Sequence, residues 1–129
     1  MILDTTFLID VLRGNEAVED TVRNVDESGT ARVSAISIME LWEGIRLTDA
    51  TDAERAAVRD LLDGVQEIPF DRACGIEAGT ISAELQQAGV SIETPDVQIG
   101  ATARVHDEAV VTRNVDHFER IDGVSVVDY

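Results

Sequence analysis

Short apolar runs alternate along this chain with longer segments whose apolar residues recur at helical spacing. The first run, Ile2-Leu3, stops at Asp4; beyond it Phe7, Leu8, Val11 and Leu12 mark a helix capped by Thr5 or Thr6 and closed by Gly14. Asn15 caps a polar helix to about Glu27, with Ala17, Val18, Val22 and Val25 as its apolar side. A second strand follows from Ala31 to Ala35. Ile38, Leu41, Trp42 and Ile45 then fall at i, i+3, i+4 and i+7, an amphipathic helix with Trp42 in the core. Thr51 or Asp52 opens the next helix, Glu67 to Phe70 gives a third strand, and Asp71 caps a longer helix to about Gln87, ending at Gly89. Thr94-Pro95-Asp96 has the form of a helix start: a capping hydroxyl, proline at the first helical position, an acid in the first turn. The small residues Gly100-Ala101-Thr102-Ala103 let that helix approach a neighbour closely. Ala109 to Thr112 and Val124 to Val127 are the fourth and fifth strands.

Strands alternating with helices predict an α/β fold: a central parallel sheet of about four to five strands with helices on both faces, in a single domain over residues 1–129. No internal repeat or linker tract divides the chain, and no apolar run is long enough to cross a bilayer, so no membrane role is expected. A first strand at Met1 leaves no room for a signal peptide, and the single Cys74 is expected to be a small buried side chain. A reducing cytoplasm is the expected setting.

Charge changes the picture. The net charge is −16, from 26 acidic and 10 basic residues, and every basic residue is arginine. Such a balance argues against a nucleic-acid partner, whose phosphates it repels. An acidic surface spread along the whole chain is also typical of proteins adapted to molar salt, where the Debye length shrinks to about 3 Å at 1 M and the repulsion is screened. On that halophilic reading most carboxylates serve solvation, and each acid must be weighed against it.

Four carboxylates nevertheless share a structural address. Asp4 ends the first strand, Glu40 lies in the first turn of the helix after the second, Asp96 lies in the first turn of another helix, and Asp116 follows the fourth strand. In an α/β sheet the carboxyl ends of strands and the N-termini of helices meet at one edge. Each close pair there would repel by roughly 4 kcal/mol at 4 Å with an effective dielectric near 20. No lysine is present to relieve this, whereas Mg²⁺ or Mn²⁺ would, and such an ion leaves positions for water and phosphate. The expected chemistry is metal-dependent phosphodiester hydrolysis.

Each acid also has a plainer role. Ser37 and Glu40 have capping-box spacing; Asp96 complements a helix dipole; Asp4 and Asn114 are good caps. Asp10 and Asp107 read as surface acids, and Glu43, one turn after Glu40, as the acid best placed to assist. His106 and His117 lack ligand spacing to each other and read as structural.

The segments Asp4-Thr5-Thr6-Phe7-Leu8-Ile9-Asp10-Val11-Leu12-Arg13-Gly14, Ser34-Ala35-Ile36-Ser37-Ile38-Met39-Glu40-Leu41, Thr94-Pro95-Asp96-Val97-Gln98-Ile99-Gly100-Ala101-Thr102-Ala103 and Thr112-Arg113-Asn114-Val115-Asp116-His117-Phe118 together resemble, in order and spacing, the PIN-domain ribonucleases. The likeness is greatest to the VapC-type toxins of toxin–antitoxin pairs. It implies a PIN-like fold and a Mg²⁺- or Mn²⁺-dependent endoribonuclease; attack by a metal-activated hydroxide would leave a 5′-phosphate and a 3′-hydroxyl. Its metal-binding and catalytic acids map onto Asp4, Glu40, Asp96 and Asp116. Thr112 and Asn114 fall on supporting polar positions, Thr6 stands where asparagine or serine is common, and Gly100 where alanine is usual. The resemblance also implies a small antitoxin that blocks the site and a homodimer. Arg13, Arg46 and Arg113 are the candidates to meet RNA phosphates.

Competing classes are a housekeeping RNA-processing PIN nuclease and a silent PIN-fold module that only binds a partner. A phospho-acceptor receiver or aspartate-nucleophile phosphatase also places an Asp after a strand. Those folds need a lysine near the phosphate, and this chain has none.

Overall fold

The computed structural model describes residues 1–129. Strand β1 (Ile2–Leu3) leads into α1 (Thr5–Leu12), a 3-10 turn (Glu16–Val18), α2 (Glu19–Ser28), β2 (Arg32–Ser34), α3 (Ala35–Leu47), α4 (Asp52–Asp63) and β3 (Gln66–Ile68). Helices α5 (Arg72–Gln87) and α6 (Thr94–His106) follow, then β4 (Val110–Val111), α7 (Val115–Glu119) and β5 (Val126–Val127). All strand pairs are parallel, and the sheet order is β3-β2-β1-β4-β5. The five strands and flanking helices match the expected α/β class.

Both sheet faces are covered, so successive residues of each short strand face opposite cores. Ile2 and Val110 point into a cluster with Ile68, Ile81, Leu85, Val97, Ile99, Phe118 and Ile121, under α5, α6 and α7. Leu3 and Val111, one residue on, point into the opposite cluster with Phe7, Leu8, Val33, Leu41, Ile45 and Val58, under α1 to α4. A side chain such as Phe118 or Ile2, wholly excluded from water, contributes roughly 1.5–3 kcal/mol of burial free energy. Trp42 packs against the second cluster, with the Arg59 guanidinium 4.9 Å from its ring centroid. Cys74 is buried and unpaired, as expected.

The chain runs outward from β1 through β2 to β3, then crosses by the α5–α6 pair to β4 on the other side of β1. The direction of winding therefore reverses between β1 and β4. Ligands of open parallel sheets bind beyond the strand ends at such a reversal, and Asp4 and Thr112 are the residues that leave β1 and β4 there.

Several local boundaries differ from expectation. Asp4 occupies the N-cap position of α1 without capping through its side chain, so neither Thr5 nor Thr6 is the cap. Asn15 caps only the 3-10 turn, accepting from the Ala17 amide at 3.0 Å. Ser34, not Ser37, caps α3, accepting from the Ile36 amide at 3.1 Å, which places Glu40 in the second turn and removes the capping box. Glu93 takes the N-cap position of α6, and Thr94 precedes Pro95 inside the helix. Gly100 has a packing role: a Cβ there would lie 2.6 Å from Ile121 Cδ1, so its absence brings α6 against the segment after α7. No helix is long and apolar enough to cross a membrane.

Candidate active site

Asp4 is 2% exposed, and one of its oxygens is doubly held. Thr6 Oγ1 and Thr112 Oγ1 each donate to Oδ2 at 2.8 Å. The two hydroxyls are themselves fixed from behind: the Arg113 amide donates to Thr6 Oγ1 at 3.3 Å, and the Asn114 amide donates to Thr112 Oγ1 at 2.9 Å. The loop after β4 thus braces the aspartate at the end of β1. Thr6 and Thr112 therefore touch Asp4 directly, and Asn114 reaches it only through its backbone amide and Thr112.

The same arrangement recurs at two further acids. Thr5 Oγ1 donates to Glu40 Oε1 at 2.7 Å, and His117 Nδ1 lies 2.6 Å from Asp96 Oδ2. In each of the three carboxylates one oxygen is fixed by a side chain, while Asp4 Oδ1, Glu40 Oε2 and Asp96 Oδ1 have no protein hydrogen bond. A group held by one oxygen keeps its orientation and leaves the other for a ligand.

The electrostatics place the three acids together. Burial raises the Glu40 carboxyl above the ordinary range; the Thr5 hydrogen bond opposes this, and the charges of Asp4, Asp96 and Glu93 add to it. Asp96 is likewise raised by burial, with the His117 hydrogen bond opposing and Asp4 and Glu93 adding. Both shifts have the sign expected of anions gathered without countercharge. No three acidic, histidine or cysteine side chains converge closely enough to form a ligand set as they stand.

Asp116 is exposed, in the first turn of α7, and is not among the leading charges acting on Glu40 or Asp96. It borders the cluster through a polar hollow of about 260 Å³ that it lines with Arg113, Asn114, His117 and Asp128. Glu43 is exposed, one turn along α3 from Glu40. Arg13 lines an apolar cleft of about 360 Å³ that reaches Glu40, and Arg46 is exposed in the last turn of α3. Arg113 is half exposed and bonded to Asp10 through one nitrogen.

Glu93 near the cluster escapes sequence reasoning, His117 reads as structural without its partner, and Asp10 is misread. Glu93 adds a fourth negative charge around Glu40 and Asp96; its signal was its position immediately before Thr94-Pro95. His117 orients Asp96, a contact between α7 and α6 that no spacing along the chain reveals. Asp10 reads as a surface acid but is 2% exposed, because the helical face that carries it is covered by Arg113 and Tyr129.

Residues 1–124 match the family described as PIN domain. The chain is 31% identical over 97 residues to a tRNA(fMet)-specific endonuclease VapC of Salmonella typhimurium, covering 75% of this chain and 74% of that one. Among solved structures, DNA-bound VapBC from Salmonella typhimurium superposes with a TM-score of 0.90 at 27% identity, covering 98% of this chain and 96% of the other. VapBC2 from Rickettsia felis bound to a promoter DNA fragment gives a TM-score of 0.92 at 21% identity, covering 99% and 97%, and supports the fold. With acids and hydroxyls arranged at the winding reversal and the match spanning nearly every residue, the chain belongs to the PIN-domain family.

Proposed function

We propose that this protein is a divalent-metal-dependent endoribonuclease and the toxin of a toxin–antitoxin pair. One observation carries the reading: Asp4, Glu40 and Asp96, at one sheet edge, are each fixed through one oxygen and unpartnered at the other. The names of the relatives, a tRNA(fMet)-specific endonuclease and VapBC complexes, support the substrate class and the antitoxin.

The residues fit a hard divalent cation in their chemistry. The donors are all oxygen, and Glu40 and Asp96 have carboxyls raised by burial and by neighbouring negative charge that a cation would relieve. Asp4 and Asp96 would hold it, with Glu40 and Asp116 completing the set. When bound, Mg²⁺ or Mn²⁺ polarises the phosphate and makes water easier to deprotonate. The protein's own part is orientation. Thr6 and Thr112 hold one oxygen of Asp4, His117 one of Asp96, and Thr5 one of Glu40, so each acid would meet a cation with part of its orientation already set.

The apolar cleft beside Glu40, walled by Ile9, Leu12, Leu41, Ile45 and Val58 with Arg13 at its rim, suits an antitoxin segment that would cover the acids. Met39, Leu47 and Ile76 are exposed apolar side chains that a second copy would cover in a homodimer, and the cytoplasm is the setting such a partner and substrate share.

Cleavage of end-labelled initiator tRNA at high salt, with Mn²⁺ or Mg²⁺ against EDTA, tests the reading for the wild type beside Asp96→Asn. Metal-dependent cutting lost in the variant is expected. Cutting that persists in EDTA, or at the wild-type rate in Asp96→Asn, overturns it.

A further inference from the structure

Asp10 is a buried acid for which the ribonuclease reading has no use. Its side chain is 3% exposed, and both oxygens are engaged. Arg113 Nη1 donates to Oδ1 at 3.2 Å, and the Tyr129 hydroxyl donates to Oδ2 at 2.7 Å. The Tyr129 ring sits edge-on to Phe7 with centroids 5.2 Å apart, so the tyrosine is anchored in the core as well. A carboxylate buried at this depth without partners would be strongly destabilising, which makes this pairing specific.

The guanidinium it holds is not buried. The Arg113 side chain is 54% exposed and lines the polar hollow that also contains Asp116 and His117. His117 contacts Asp96, so the hollow borders the acid cluster. The backbone of Arg113 is fixed independently, its amide donating to the Thr6 hydroxyl that in turn holds Asp4. One nitrogen of a five-donor fork is committed to Asp10, and the residue lines the hollow with the other side-chain donors free of protein partners. A guanidinium tied on one side by a buried carboxylate and open on the other is preset for bidentate phosphate binding. The hollow is otherwise lined by Asn114, Val115, Asp116, His117 and Asp128, so Arg113 is its one arginine.

We infer that Asp10, with Tyr129, is a positioning residue that holds Arg113 as a fork for an RNA backbone phosphate beside the acid cluster. The inference rests on the ribonuclease reading above.

Steady-state cleavage of initiator tRNA in Mn²⁺ at several salt concentrations tests it. Arg113→Ala should raise KM roughly ten- to hundredfold, the size of one charge-assisted hydrogen bond, with kcat little changed. The slope of log KM against log salt should fall by about 0.7, one single-strand phosphate contact. Arg113→Lys should restore little, because the fork is lost. Asp10→Asn should reproduce the KM rise, and the double variant should be no worse than Arg113→Ala; a merely structural Asp10 would give additive losses instead. Should Asp10→Asn fail to fold, Tyr129→Phe, which removes one hydroxyl, carries the same arm with a smaller KM rise. Unchanged KM and salt slope in an active Arg113→Ala protein, or additive effects, overturn the inference alone. A wild type that neither binds nor cuts RNA overturns the inference and the ribonuclease reading together.

Discussion

Thr112 Oγ1 donates to Asp4 Oδ2 at 2.8 Å, joining the ends of β4 and β1 across 108 positions of the chain. The same hydroxyl accepts from the Asn114 amide. Thr112→Val keeps the shape but leaves that amide and the carboxylate each short of a partner, both near a fully buried position. The expected cost is about 1–3 kcal/mol of stability, read by denaturant unfolding. Affinity for Mn²⁺ should fall roughly 10- to 100-fold, read by calorimetry; an unchanged affinity would count against Asp4 as a ligand.

Asp4→Asn, Glu40→Gln and Asp96→Asn should each lower cleavage by about 10²-fold or more while circular dichroism stays that of the wild type. Asp116→Asn tests an acid that stands outside the buried group, at the hollow. A loss as large as that of Asp96→Asn would show that the hollow closes onto the cluster when metal and RNA bind. An active Asp116→Asn would confine the essential set to the other three.

Glu40 and Asp96 carry raised pKa values, due first to burial and then to neighbouring acids. A carboxyl whose folded pKa lies above its unfolded value binds its proton more tightly when folded. Its contribution to stability is therefore present below the unfolded pKa and lost as pH rises through the folded one. In metal-free buffer Glu40→Gln should be more stable than the wild type at neutral pH, and the difference should shrink on acidification. Thermal melts of both proteins across that range check it; a pH-independent difference would contradict the electrostatic account. Saturating Mn²⁺ should stabilise the wild type more than the variant.

Gly100→Ala gains about 1 kcal/mol of helix propensity but places a Cβ 2.6 Å from Ile121 Cδ1. Ile121 is 3% exposed, so its side chain has little room to move. Overpacking of this kind costs about 1–3 kcal/mol, and net destabilisation is expected. Adding Ile121→Val removes the clashing methyl and should recover part of the loss. A stable Gly100→Ala single variant would show that Ile121 repacks freely.

The net charge of −16 repels itself more strongly in dilute buffer than in concentrated salt. The Debye length falls from about 10 Å at 0.1 M to about 3 Å at 1 M. The midpoint of thermal unfolding should rise over that range in potassium chloride, and a flat or falling midpoint would remove the halophilic interpretation of the surface.

Much of this protein is legible along the chain because the forces involved are local. The helical stripe in Ile38, Leu41, Trp42 and Ile45, the Asp71 cap and the short apolar runs at Ile2, Val33 and Val110 are set by periodicity and by backbone hydrogen-bonding needs within a few residues. They determine an α/β sheet and place Asp4, Glu40 and Asp96 at one of its edges. What the tertiary structure alone decided is which partner each group meets. Asp10 and Asp116 are both aspartates in short helices, yet one is buried under Tyr129 and Arg113 and the other is exposed. Ser37 has the spacing of a cap but serves Thr5, and His117 reaches Asp96 only because α7 folds back on α6. Burial and long-range hydrogen bonding depend on the packing of segments distant in sequence, and one chain read in order carries no record of those distances.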